Sequence, residues 1–260
     1  MPIVYAHRGG AALRPENTIP AFDHGMALGA DGLEFDVHLS KDGVVVIHHD
    51  RTLERTTSGR GRVEDYTAAE LAAVDACCNF ADERGQFPYR GKGFGVPTLR
   101  EVLHRYPQAP LIIELKGRRS SLAHAVVDEV RAAHAVHRVA IGSFHVSPLR
   151  AVRKYEPALA TGAAAIETRW ALYRSWVGWP LGQTRYREFQ VPTRSGPTPI
   201  VTRRFVNHAH RAGLSVKVWT VNTADEIRRL VSYGVDAVIT DRPDVARAVI
   251  PRRSVERAAE

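Results

Sequence analysis

The chain of 260 residues holds only two cysteines, Cys77 and Cys78, adjacent and in no metal-binding or redox spacing. That excludes a disulfide-stapled domain and a cysteine-based zinc site, and leaves two buried thiols in a reducing compartment as the expectation. No apolar run reaches about 18 residues, so no helix is expected to span a bilayer. The opening Met1-Pro2-Ile3-Val4-Tyr5-Ala6-His7-Arg8 lacks the charged-then-apolar layout of a secretory leader, which makes a cytoplasmic protein the expectation. Internal repeats, heptads and low-complexity blocks are missing as well. Lysine is scarce. Only positions 41, 92, 116, 154 and 217 carry it, so 31 of the 36 basic residues are arginine.

What is present is the composition of a globular protein: 44% hydrophobic and 25% charged,. The formal net charge is +8, with 36 basic against 28 acidic residues. Arginine's planar fork suits phosphate, so an anionic substrate, a phospholipid surface or nucleic acid all fit. A composition rich in Arg and Ala, set by genome base content, explains the excess equally well.

Short β-branched runs alternate with amphipathic stretches along the whole chain. Strands are expected at Ile3–Ala6, Gly32–His38, Leu111–Lys116, Val139–Ile141, Leu159–Ala163, Glu188–Val191, Leu214–Val221 and Ala237–Thr240. Val44–Ile47 should pair locally after the Lys41-Asp42-Gly43 turn. Helical patterns fill the intervals: Thr18–Leu28 with Asn17 as a candidate cap, Leu99–Tyr106 with a Thr98/Glu101 capping box, then 121–134, 147–155, 202–212, 223–232 and 243–249. Eight strand–helix units in about 250 residues predict an α/β fold, a single (β/α)8 TIM barrel, with a doubly wound open sheet as the alternative. Residues 51–97 break the rhythm and read as a small inserted subdomain after the second unit, with one short helix near Ala68–Val74. The barrel then covers residues 1–250, and 251–260 form a charged, frayed tail.

Catalytic side chains of such barrels lie at the C-terminal ends of the strands. Residues two apart on a strand share a face, so Glu34 and Asp36 point together, as do Glu114 and Lys116. Their neighbours Leu33, Phe35, Val37, Ile113 and Leu115 are apolar and belong under the helices, which turns the carboxylates toward the barrel axis. Three carboxylates near one point cannot all stay ionised without a cation, and oxygen ligands favour Mg²⁺ or Ca²⁺. Solvent-facing alternation would explain any one pair, and a Glu114–Lys116 ion pair is a second bland reading. Three acids on adjacent strands argue against the first. Among 12 histidines, His7 and His49 stand out as proton-transfer candidates because both sit at strand ends beside the acids. His104, His124, His134, His137, His208 and His210 read as surface residues. Arg8 is a phosphate ligand candidate and Lys116 a second point charge, and Gly9-Gly10 would let a ligand approach the backbone closely. Neither a Walker nor a dinucleotide spacing occurs.

These residues resemble the glycerophosphodiester phosphodiesterase family. His7-Arg8-Gly9, Pro15-Glu16-Asn17-Thr18 and the run Gly29 to Val37 open the resemblance. Lys41-Asp42-Gly43, His49-Asp50, Arg55-Thr56-Thr57 and Pro97-Thr98-Leu99 continue it. Glu114-Leu115-Lys116, Ser143-Phe144, Val218 to Asn222 and Gly234 to Pro243 complete an ordered series over nearly the whole chain. The resemblance implies metal-dependent cleavage of a glycerophosphodiester to glycerol 3-phosphate and an alcohol. It implies His7 and His49 as acid and base, Glu34, Asp36 and Glu114 as metal ligands, Arg8 and Lys116 on phosphate, and Trp219 lining the pocket. No nucleotide or organic cofactor is implied. By analogy with a related phospholipase mechanism, a neighbouring hydroxyl of the substrate attacks phosphorus and water opens the cyclic phosphate.

Two alternatives stand beside it. A phospholipase D-like enzyme acting on lysophospholipids or sphingolipids would use the same barrel, and a non-catalytic anion- or nucleic-acid-binding barrel would use the arginines. No recognised nucleic-acid motif supports the latter. The segment Arg169–Leu181 carries three of the four tryptophans. Ordinary packing of the fifth helix is the expected reason, with transient lipid contact the alternative. The stretch 192–199 has no recognised motif, and Lys217 shares parity with Trp219 and should point inward.

Overall fold

The expected alternation is present in full. A computed structural model describes residues 1–252, so all but the first two residues of the charged tail lie outside the described residues. Its strands are β1 (Ile3–His7), β2 (Gly32–Leu39), β3 (Val45–Ile47), β4 (Leu111–Leu115), β5 (Val139–Gly142), β6 (Ala160–Thr161), β7 (Glu188–Pro192), β8 (Arg194–Ser195), β9 (Thr198–Pro199), β10 (Ser215–Trp219) and β11 (Ala237–Thr240). The helices are α1 (Ile19–Ala27), α2 (Ala68–Ala73), α3 (Leu99–Arg105), α4 (Ser120–Ala132), α5 (Val146–Tyr155), α6 (Ala165–Val177), α7 (Arg203–Arg211), α8 (Ala224–Tyr233) and α9 (Pro243–Val249). Parallel pairing runs in the order β6-β5-β4-β2-β1-β11-β10-β7, and a parallel bridge from Gly162 to Glu188 joins the two ends. The result is a (β/α)8 barrel. The short β3 pairs antiparallel to β2, as the local turn predicts.

The helix–strand layer forms from the strand faces that the parity argument turned outward. Leu33, Phe35, Val37, Ile113 and Leu115 are buried there against α1, α3 and α4 residues such as Phe22, Val102 and Val126. The Phe22 and Phe35 rings sit 5.5 Å apart, an aromatic contact worth about 0.5–1.5 kcal/mol beyond its buried area. Inside the barrel, Tyr5, Ile112, Ala237 and Ile239 form a small cluster. Lys217 does point inward, but to Glu188 at 2.8 Å on the neighbouring strand rather than to the carboxylates of the mouth. Residues 51–97 hold α2, and their Leu53, Val63, Leu71 and Val96 cluster with Val46 of β3.

Four local expectations need correction. Thr18, not Asn17, caps α1 by accepting from the Ala21 amide; Asn17 is buried with φ +58 and has another task. Gly9 and Gly10 serve packing rather than ligand approach. A Cβ on Gly9 would lie 2.6 Å from the Ala21 backbone, and one on Gly10 would lie 3.2 Å from Pro243. Cys77 is buried whereas Cys78 is only half-buried. His208 is buried on the inner face of α7 rather than on the surface. Among the described residues no helix is long and apolar enough to cross a membrane.

Candidate active site

The C-terminal ends of β1, β2 and β4 bring their polar side chains to one mouth. His7, Arg8, Glu34, His49, Glu114, Lys116 and Trp219 line a pocket of about 120 Å³, and Asp36 lies buried at its edge. All eight residues singled out in the sequence therefore meet. Register explains it: His7 pairs with Glu34 across β1–β2, and Asp36 pairs with Glu114 across β2–β4.

Carboxylate oxygens of Glu34, Asp36 and Glu114 lie within 4.8 Å of one another. Their environments differ. Asp36 forms ion pairs with Lys116, Nζ at 2.9 Å, and with Arg8, Nε at 3.1 Å, and Asn17 Nδ2 donates a hydrogen bond to it at 3.0 Å. Burial alone would raise its pKa, but Lys116 and Arg8 outweigh burial and hold it below the usual range,. Glu114 shares Lys116 at 2.9 Å, so the ion-pair reading of those two residues is also correct. Glu34 is the exception. Its Oε2 is buried without a hydrogen-bond partner, and burial, reinforced by Asp36 and Glu114, pushes its carboxyl up to about 8. A buried carboxylate oxygen with no donor, facing two more carboxylates, is a donor set that fits a hard divalent cation.

Both candidate histidines are held by a carboxylate at Nδ1. His7 Nδ1 donates to Asp241 at 2.6 Å, and its Nε2 lies 3.8 Å from Glu34. Burial pulls the His7 imidazole down, but Glu34 and Asp241 outweigh it and keep its pKa above the ordinary value. Asn222 holds Asp241 in turn, donating through Nδ2 at 2.8 Å and accepting the Asp241 amide at 2.9 Å. His49 Nδ1 donates to Asp50 at 2.6 Å, and Arg55 grips Asp50 at 2.5 Å. Glu16 ties this network together, accepting from Arg8 at 3.0 Å and from Arg55 at 2.7 Å and 2.8 Å. The neighbouring histidines are framework: His38 Nε2 bonds the His49 carbonyl at 3.2 Å and His48 Nε2 the Thr52 carbonyl at 3.0 Å. Burial drives His38 down to about 4, which keeps it neutral.

Sequence reasoning did not single out Asp241, Asp50, Asn222, Asn17 and Glu16 as site residues. The available signal was position, since Asp241 and Asn222 close the last two strand–loop junctions and Asp50 follows His49 directly. A carboxylate fixing one imidazole nitrogen leaves the other free to exchange a proton, the division of labour of an acid–base histidine.

A charged mouth of this kind, at the catalytic face of a (β/α)8 barrel, defines a hydrolase equipped for phosphate esters. The chain belongs to the glycerophosphoryl diester phosphodiesterase family, whose model matches residues 7–245, and it is a phosphoric diester hydrolase. It is 30% identical over 250 residues to a glycerophosphodiester phosphodiesterase of Caldanaerobacter subterraneus subsp. tengcongensis, covering 93% of this chain and 95% of that one. The crystal structure of glycerophosphodiester phosphodiesterase from Agrobacterium tumefaciens superposes with a TM-score of 0.76 at 27% identity, over 96% of this chain and 100% of that one. An Oleispira antarctica phosphodiesterase, solved with its product sn-glycerol-3-phosphate, gives 0.75 at 26% identity, over 97% and 98%.

Proposed function

We propose that the protein hydrolyses glycerophosphodiesters to glycerol 3-phosphate and an alcohol, with a divalent cation held by Glu34, Asp36 and Glu114. The observation that carries the reading is the meeting, in one pocket, of two carboxylate-backed histidines with the three-carboxylate cluster. A bound Mg²⁺ or Ca²⁺ would supply a Lewis acid for a phosphoryl oxygen. Arg8 and Lys116 bind the remaining phosphoryl charge. One of His7 and His49 takes the proton from the attacking hydroxyl while the other gives a proton to the departing alcohol oxygen, and the roles reverse when water opens a cyclic intermediate. Asp241 and Asp50 hold each imidazole in the tautomer that leaves Nε2 toward the pocket. Residues 51–97 act as a small subdomain that supplies Arg55 to the Asp50–Glu16 network.

The test is a coupled assay for glycerol 3-phosphate released from a panel of glycerophosphodiesters, with Mg²⁺ or Ca²⁺ and with EDTA. We expect metal-dependent release that His7→Ala, His49→Ala and Glu34→Ala each abolish. Folded, metal-loaded protein that releases nothing from any member would overturn the reading.

A further inference from the structure

Two glycines open a notch in the barrel wall beside the catalytic pocket. Gly142 ends β5, and Gly162 follows β6 directly. Neither has a left-handed backbone, so what each supplies is room rather than conformational freedom. Gln190 of β7 takes that room. Its register partner across β7–β10 is Lys217, and both side chains point into the barrel,. A Cβ on Gly142 would collide with Gln190 Oε1, and one on Gly162 would lie 3.1 Å from Gln190 Cδ. The side chain therefore lies across the ends of two strands that carry no side chain there.

The orientation of its amide is fixed from below. Gln190 Nε2 donates to Glu188 Oε1 at 2.7 Å, and Glu188 Oε2 pairs with Lys217 Nζ at 2.8 Å. Lys217 in turn lies 5.2 Å from the centre of the Tyr5 ring. A carboxylate paired with a lysine only accepts, so it takes the NH2 end of the amide and turns the carbonyl oxygen away from itself, over Gly142. Among the described residues no donor meets that oxygen. Its place matters, because Gly142 is the register partner of Glu114. A groove of about 290 Å³ continues from the catalytic pocket, and the two spaces share Glu114, Phe144, Gln190 and Trp219. The Phe144 and Trp219 rings meet edge to face at 5.8 Å where they join. Gln190 thus presents a locked acceptor, without a partner, at the junction that a substrate has to occupy.

We propose that Gln190 determines specificity by accepting, through Oε1, a hydrogen bond from a substrate hydroxyl that takes no part in the bond changes at phosphorus. Glu188 and Lys217 are its positioning residues, and Gly142 and Gly162 give it space. The inference rests on the phosphodiesterase reading and deepens it. The hydroxyl belongs either to the glycerol, beyond the one that attacks phosphorus, or to the departing alcohol, and both offer the same O–H donor to the same oxygen. A substrate without it covers Oε1, strips its water and returns no partner. A site with a fixed buried acceptor penalises such a substrate far more than the loss of one hydrogen bond in water would.

The experiment uses the full chain, supplied with Mg²⁺ or Ca²⁺, and two pairs of diesters that differ by one hydroxyl. Glycerophosphocholine against its propane-1,2-diol analogue tests the glycerol side. The glycerophosphodiester of ethylene glycol against that of ethanol tests the departing side. We expect the native chain to favour the hydroxyl-bearing member of at least one pair by about 10-fold to 100-fold in kcat/KM. Gln190→Met should erase the preference in one pair, which names the source of the hydroxyl, and keep the hydroxyl-free member within about threefold of its native rate. Gly142→Ala leaves Gln190 in the chain but puts a methyl group where Oε1 lies, and it should erase the same preference. A native chain indifferent to both pairs would overturn the proposal without any variant. So would a preference that survives in folded Gln190→Met, or an equal loss on all four diesters, which would make Gln190 a part of the framework only. A native chain that hydrolyses none of the four would strike the phosphodiesterase reading instead, while their affinities, measured by calorimetry, still judge Gln190.

Discussion

On the side of the mouth built by β1, β2 and β4, charged groups are held by other charged groups. His7 rests on Asp241, His49 on Asp50, and Asp36 is shared by Lys116, Arg8 and Asn17. On the side built by β5, β6 and β7 the lining is mixed: Phe144, Leu172, Tyr173, Trp176 and Ile200 stand among the mostly uncharged polar side chains of Ser143, Thr168, Gln190 and Thr198. The first side suits a transition state, because donors and acceptors already fixed need no reorganisation when charge develops. The second suits whatever is attached to the reacting phosphate, because apolar contact is tolerant of shape and weak in direction. Under the proposed function the first side would set the reaction and the second its choice of substrate.

The comparison breaks most readily at Glu34. It is the charged-side residue whose carboxylate oxygen has no donor, so its cost to the fold has to be met by something it does. Glu34→Gln should lower kcat by about 10³-fold or more and leave the melting temperature unchanged or higher, since a group pushed up to about 8 by burial contributes nothing to stability as a carboxylate near neutrality. Turnover within tenfold of native would mean that the two sides do not differ in kind.

Next in size is a charged pair placed below the mixed side. Lys217 and Glu188 are both buried and 2.8 Å apart inside the barrel. Lys217→Met alone strands a buried carboxylate and should cost about 3–5 kcal/mol in denaturant unfolding, whereas Lys217→Met with Glu188→Leu should recover most of it. A double variant no more stable than the single would show that the pair is more than mutual neutralisation. A smaller loss is expected from Asp241→Asn, which keeps the shape around His7 but removes the charge that orients it. We expect kcat to fall about 10²-fold with KM within a factor of about three, read from steady-state kinetics; a change in KM alone would assign Asp241 to substrate binding.

Much of this arrangement was legible in residue order. Period-two alternation on β2 and β4 placed Glu34, Asp36 and Glu114 on one face, and the strand–helix rhythm closed into a barrel as counted. What alternation does not encode is which residue distant in the chain meets another. Asp241 is 234 residues from His7, and Asn17 reaches Asp36 only because a left-handed backbone at φ +58 turns it inward, leaving the cap to Thr18. The α6 tryptophans, expected to pack on the barrel, stand in solvent instead, because composition does not reveal which face of a helix the barrel covers. The β8–β9 hairpin is two residues per strand, too short for a periodic signal.

The smallest expected effect tests the mixed side on its own terms. Phe144 is 52% exposed and touches Trp219 edge to face where the groove meets the catalytic pocket. It makes no hydrogen bond to a charged side chain, so Phe144→Ala should leave the proton-transfer machinery intact. The loss should then appear as uniform binding energy, with KM raised about fivefold to tenfold and kcat nearly unchanged, and it should grow with the apolar size of the substrate. A fall in kcat for the smallest diester would show instead that the Phe144 ring excludes water from His7 and His49 during the reaction. The line between the two sides of the mouth would then run through the groove rather than beside it.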